Sequence, residues 1–291
     1  MENYIKLVDE KLDDYLRVQY PESIFESMRY TVLLPGKRLR PVLCLEACRI
    51  FGGNVAHALP AACAIEMLHA QSLIHDDLPC MDNDDFRRGK PSNHKVFGEA
   101  VAVLAGDALL TFAPQMIIEN SALSAETTLR IIKEYCKAAG AYGLIAGQIV
   151  DIRSETQLAG STAATLNPQP STLSFIQTHK TAVLFKLALR TGAMAAGAGE
   201  DKIAAMTDLG QKLGTAFQIA DDILDETSTF EQMGKTLGKD KDANKLTAVS
   251  LYGLEGAKQK LHTLTDECFA VLKTQNIQSK IFEKTLNKIR I

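Results

Sequence analysis

Apolar positions recur at spacings of three and four along almost all of this 291-residue chain, the signature of amphipathic and buried α-helices rather than of strands. Ile5, Val8, Leu12, Tyr15 and Leu16 form one stripe, predicting a first helix over 1–20 ended by Pro21, and a second follows over 23–34. Beyond Pro35-Gly36-Lys37-Arg38-Leu39-Arg40-Pro41 an apolar helix covers 42–51, and Gly52-Gly53-Asn54 separates it from an Ala- and Leu-rich helix over 59–77. The pattern predicts further helices over 100–120, 125–157, 175–192, 202–225, 257–272 and 281–291. Residues 159–172 are small and polar with two prolines, and read as a loop inserted within one domain, because the helical pattern resumes at once. With no useful strand alternation and no internal repeat, the expectation is an all-α fold in a single domain over 1–291.

Composition narrows the class. A hydrophobic content of 46% with 23% charged residues is that of a globular chain able to bury a sizeable core. The net charge of −3 supplies no attraction to nucleic acid or to an anionic membrane. The six cysteines form no CxxC pair and read as reduced residues of a cytoplasmic protein. The first sixteen residues lack the basic start and apolar run of a signal peptide. The most apolar span, 100–118, is interrupted by Asp107 and Pro114 and reads as a buried helix rather than a stable membrane insertion.

The candidate chemistry concentrates in HDDLPCMDNDDFRRGKP, residues 75–91. Asp76, Asp77, Asp82, Asp84 and Asp85 repel one another unless a cation joins them, and hard carboxylate oxygens suit Mg²⁺ rather than zinc. Arg87, Arg88 and Lys90 then ask for an anion, so the stretch fits a metal-chelated phosphate ester. The basic turn holding Lys37, Arg38 and Arg40 precedes a helix, where cations oppose the helix dipole unless an anion is added. Glu66, His69 and Asp76 share one helix face, and Gln148 and Asp151 share another. Gln218, Asp221 and Asp225 form a second acidic ridge, followed by the lysines 235, 239, 241 and 245 in a glycine-broken stretch; Lys241 reads as solvated. A His-Asp phosphohydrolase would leave the second ridge unexplained. A di-iron site would need a second Glu-x-x-His beside Glu66 and His69, and there is none.

These motifs, in this order and over essentially the whole length, resemble the all-trans polyprenyl diphosphate synthases, the farnesyl and geranylgeranyl diphosphate synthase group. The aspartate-rich motifs are Asp76-Asp77-Leu78-Pro79-Cys80-Met81-Asp82 and Asp221-Asp222-Ile223-Leu224-Asp225. Around them stand the GKRLRP turn, the run from His69, the arginine pair, Gly147 to Asp151, His179-Lys180-Thr181, and the Phe217-Gln218 approach to the second motif. The resemblance implies an all-α bundle around a central cavity, usually a homodimer, that condenses isopentenyl diphosphate with dimethylallyl, geranyl or farnesyl diphosphate. It implies that Lys37, Arg40, His69 and Arg88 hold the isopentenyl diphosphate, and that Asp76, Asp82 and Asp221 ligate Mg²⁺. Arg87, Lys180, Thr181, Gln218, Lys235 and Lys245 would contact the allylic diphosphate, and Asp77, Asp222 and Asp225 complete the catalytic set. Gln71 and Ser72 stand where product length would be set, and the absence of an aromatic residue at Gln71 leans toward a twenty-carbon product. A non-catalytic regulatory subunit would carry the same fold, but both acidic motifs are intact here.

Overall fold

The computed structural model describes residues 1–160, 169–227 and 245–291. It is built almost wholly of helices: α1 (Glu2–Tyr15), α2 (Glu22–Val32), α3 (Leu39–Ile50), α4 (Val55–Asp76), α5 (Asn93–Phe97), α6 (Glu99–Asn120), α7 (Ala125–Ala139), α8 (Leu144–Gly160), α9 (Pro170–Ile176), α10 (Val183–Ala195), α11 (Glu200–Thr227), α12 (Ala248–Thr274) and α13 (Lys280–Ile289). A π-helical turn, Gln177–Ala182, joins α9 to α10. The chain gathers into two compact units, one of residues 1–135 with 191–198, the other of 136–190 with 199–291.

In the first unit α4 is central. It packs against α3 on one side and α6 on another, and is apolar nearly all round because it is covered nearly all round. Asn54 caps it by accepting from the Ala56 N–H at 3.0 Å, so it starts at Val55, four residues before the expected Leu59, with Pro60 inside its second turn. α1 supplies Val8, Leu12, Tyr15 and Leu16 to the core. It ends at Tyr15, not at Pro21, because the buried stripe ends at Leu16 and residues 17–20 are exposed. α6 turns Ala102, Ala105, Gly106, Leu109 and Ala113 inward but leaves Val103, Leu104 and Ile118 exposed. By length and composition alone this helix is long and apolar enough to cross a membrane, a test that core helices of globular proteins also pass, and part of it is buried.

In the second unit α11 lies along α12 and against the π turn, and α8 packs on the π turn as well. The single helix expected over 125–157 is two helices, parted at Gly140–Gly143, where the Gly143 N–H closes a turn onto the Gly140 carbonyl at 3.0 Å. Helix periodicity continues across the break, so apolar spacing alone does not reveal it. α8 continues through Gly160, so the expected loop over 159–172 begins later, its middle lies outside the described residues, and Pro170 already starts α9. α12 begins nine residues before the expected 257, held by a capping box between Thr247 and Ser250 and kinked at Gly253. One two-stranded hairpin, β1 (Phe86–Arg87) with β2 (Lys90–Pro91), escapes the all-helical reading.

Candidate active site

In the first unit the acidic stretch begins where α4 ends. Asp76 is the last helical residue, and the Asp82 N–H returns to its carbonyl at 2.8 Å, so the loop over Pro79 folds back and brings the two residues together. Asp77 goes elsewhere. Only 2% of it is exposed, and Arg87 grips it through Nε, 3.0 Å from Oδ1, and through Nη2. The same guanidinium reaches Asp84 Oδ2 at 3.2 Å. Burial pushes the Asp77 carboxyl above the usual range, and the Arg87 guanidinium opposes that push.

The two neighbouring arginines separate because the hairpin turns between them. Arg88 and Gly89 are the two loop residues between paired Arg87 and Lys90, with φ of 53° and 76°. Positive φ at both positions is what a tight two-residue hairpin requires, and Gly89 supplies one of them without strain. Arg88 thereby swings away from Asp77, toward the basic turn. Its Nη1 donates to the Leu34 carbonyl at 3.3 Å, over Gly36, where a Cβ would lie 2.7 Å from that nitrogen.

Of the three cations in the basic turn, Arg38 is structural. In left-handed backbone at φ 44° it is turned inward, only 3% exposed. It donates to Asp9 at 2.7 Å, Glu66 at 2.9 Å and the Leu34 carbonyl at 3.0 Å. Glu66, read from sequence as part of an acidic face, is thus Arg38's counter-ion. Lys37 stays exposed, and Arg40 falls in the first turn of α3. His69, one turn beyond Glu66, has its pKa held well below the ordinary imidazole value, first by burial and then by Arg40, Arg88, Arg87 and Arg38. Burial and the cationic surround both disfavour a charged ring, and a neutral imidazole keeps one N–H to donate.

Gln71 is buried, and its Nε2 donates to His75 Nδ1 at 3.1 Å. That leaves His75 Nε2–H for the Val103 carbonyl of α6, also at 3.1 Å. Gly106 makes room for the ring: a Cβ there would sit 2.0 Å from His75 Nε2. Ser72 donates to the His69 carbonyl at 2.9 Å.

In the second unit Lys180 and Thr181 project from the π turn. Lys180 Nζ donates to Asp151 Oδ2 at 2.6 Å, and Thr181 Oγ1 to Gln218 Oε1 at 2.6 Å. Gln218 Nε2 continues to Asp222 Oδ1 at 2.8 Å, and Asp222 Oδ2 accepts the Ala248 N–H at 2.8 Å, tying α11 to the start of α12. Asp222 is therefore buried and shared between two donors, whereas Asp221 and Asp225 keep exposed surface. Lys245 is partly exposed just before α12; Lys235, Lys239 and Lys241 lie outside the described residues. Asp151 as the partner of Lys180, Asp77 as the partner of Arg87 and Arg38 as a buried anchor are roles that residue spacing left unassigned.

Among the described residues, no three or more His, Cys, Asp or Glu side chains converge into a ready metal cage. That suits Mg²⁺, which holds its waters and is bound by one or two carboxylates together with substrate phosphates. Asp76 and Asp82 are partly exposed, and the fold of their loop bonds the Asp82 N–H to the Asp76 carbonyl.

The polyprenyl synthetase family matches residues 21–288. The chain is 49% identical over 251 residues to geranylgeranyl pyrophosphate synthase 7, chloroplastic, of Arabidopsis thaliana, covering 86% of this chain and 71% of that one. It is 44% identical over 261 residues to a dimethylallyltranstransferase of Fischerella ambigua, covering 89% and 73%. Among solved structures, a geranyltransferase of Helicobacter pylori complexed with magnesium and isoprenyl diphosphate matches with a TM-score of 0.84 at 32% identity, over 99% of this chain and 94% of that one. An FPP/GFPP synthase of Zymomonas mobilis matches with a TM-score of 0.84 at 33% identity, over 99% and 95%.

Proposed function

We infer how the site works from one premise: the chain belongs to the polyprenyl synthetase family and is a short-chain trans-prenyl diphosphate synthase, a prenyltransferase. The observation that carries the reading of the isopentenyl site is the gathering of its cations: Arg88 turns out of the hairpin to donate to the Leu34 carbonyl beside the basic turn, Arg40 stands in the first turn of α3, and His69, its pKa lowered by burial and by these arginines, lies on the helix that ends at Asp76. Lys37, Arg40, His69 and Arg88 hold the isopentenyl diphosphate there. Asp76, Asp82 and Asp221 would hold Mg²⁺, which when bound would supply charge neutralisation for the departing allylic diphosphate. Lys180, Thr181 and Gln218, with Lys235 and Lys245, meet that diphosphate. Arg87 holds Asp77 and the acidic loop in shape while facing the same ligand, and Asp222 and Asp225 support the second motif.

The reaction follows from the charges. The allylic C–O bond breaks heterolytically and its electron pair leaves with the diphosphate, so fixed cations that meet the growing negative charge lower the barrier. The isopentenyl double bond, held close by its own anchored diphosphate, attacks the allylic carbocation and forms the new C–C bond. A proton then passes from the adjacent carbon to the departing diphosphate, and the electron pair of that C–H bond becomes the new double bond.

The division between the two sites is tested by His69→Ala. The variant raises KM for isopentenyl diphosphate by about tenfold or more, in line with the loss of a hydrogen-bond donor to a charged group, and leaves KM for the allylic substrate near wild type. Equal changes in both constants contradict it. Product length belongs to Gln71 and Ser72, and the twenty-carbon product is the one proposed. Gln71→Tyr shortens the product distribution, read by chromatography of the dephosphorylated products; an unchanged distribution places Gln71 off the path of the growing chain. The exposed Val103, Leu104 and Ile118 of α6, with Leu129 of α7, support assembly as a homodimer. The six cysteines are all unpaired thiols, as a reducing cytoplasm or plastid stroma would keep them.

A further inference from the structure

The motif Gly147 to Asp151 has so far received no role in the reaction, yet its aspartate is bonded to a lysine of the proposed site. Lys180 Nζ lies 2.6 Å from Asp151 Oδ2, with side chains only 21% and 11% exposed. Two features of the backbone bring them together. Gly147, one turn before Asp151, lets α8 come so near the π turn that a Cβ would stand 2.3 Å from the Lys180 backbone nitrogen. The π turn itself inserts an extra residue into the helical ladder and so re-aims the side chains it carries. Gln148, beside Gly147 on the same helix, keeps a buried Nε2 that finds no acceptor among the described residues.

We propose that Asp151 is the positioning residue of Lys180, fixing the direction in which its ammonium meets the allylic diphosphate. This rests on the assignment of Lys180 to that ligand. A lysine presents a point charge on a flexible four-carbon stem, with three donor hydrogens and no fixed geometry of its own. The carboxylate takes one donor and so fixes the direction of the stem. Asp151 is an acceptor only and does not itself bond the diphosphate; its effect passes entirely through Lys180.

The test is a double-mutant cycle on the full-length enzyme, with kcat and both KM values measured for wild type, Asp151→Asn, Lys180→Met and the double variant. Misplacing a binding group by about an ångström costs up to about 100-fold, so Asp151→Asn lowers kcat by about 10- to 100-fold while KM for isopentenyl diphosphate holds. In the Lys180→Met background the same substitution changes nothing further. Calorimetric binding of inorganic pyrophosphate with Mg²⁺ shows the same coupling without turnover. Losses that add independently, or an Asp151→Asn enzyme with wild-type kcat, overturn the proposal. If Asp151→Asn is unfolded by circular dichroism, Asp151→Glu enters the same cycle and the same outcomes are read. A wild-type protein that elongates no allylic primer instead defeats the assignment of Lys180 to its ligand.

Discussion

Asp76→Ala and Asp221→Ala each lower kcat by at least about 10²- to 10³-fold, the range for deleting one group that stabilises developing charge, while circular dichroism remains that of the wild type. Both residues keep exposed surface, Asp76 as the last residue of α4 and Asp221 on α11. Neither contributes to an apolar core, so their loss falls on catalysis rather than on folding. Their sequence neighbours behave differently. Asp77 is buried against Arg87, and Asp222 is shared between Gln218 and the Ala248 N–H. Replacing Asp222 by Ala leaves the buried Ala248 N–H without its acceptor, and replacing Asp77 by Ala takes from Arg87 its main partner, so stability falls along with activity. Steady-state rates beside thermal melts for all four variants separate the two classes. Near-normal rates for Asp76→Ala or Asp221→Ala contradict the metal assignment.

The largest effect on stability is expected at Arg38. Arg38→Met removes a buried guanidinium that joins α1, α4 and the basic turn through Asp9, Glu66 and the Leu34 carbonyl. It leaves Glu66, itself only 3% exposed, as a buried charge without its main partner. Breaking a buried pair from one side costs about 3–5 kcal/mol, which lowers the melting temperature by on the order of ten degrees. Lys37 lies next to it on the same turn but is exposed, and Lys37→Met melts near wild type. Equal melting temperatures for the two variants would show that Arg38 is not an anchor.

Arg38 also illustrates what the sequence makes legible and what it does not. Three cations in a turn read correctly as a basic cluster, but which of them faces inward depends on one backbone angle, the left-handed φ of Arg38. The two aspartate-rich motifs are plain in the order of residues. The division of labour inside each is not, because adjacent residues at a helix end diverge by the turn of the backbone, and only their partners, Arg87 and Gln218, reveal which one is committed to structure. The all-helical class follows from apolar spacing. The break at Gly140–Gly143 and the π turn at Gln177–Ala182 do not, since each shifts the pattern by too little to disturb a periodicity of three and four. Gln71 is a polar residue at a position assigned to the end of a hydrocarbon chain. Its bond to His75, and through that ring to Val103, gives its amide a partner within the first unit.

The wild-type protein tests the reaction most directly. Purified enzyme is incubated with Mg²⁺, isopentenyl diphosphate and, separately, dimethylallyl, geranyl and farnesyl diphosphate, with pyrophosphate release followed and the products separated by chromatography. Pyrophosphate released together with a lengthened prenyl diphosphate, ending at twenty carbons and lost on chelation of the metal, is the predicted result. No lengthening of any of the three primers would contradict it.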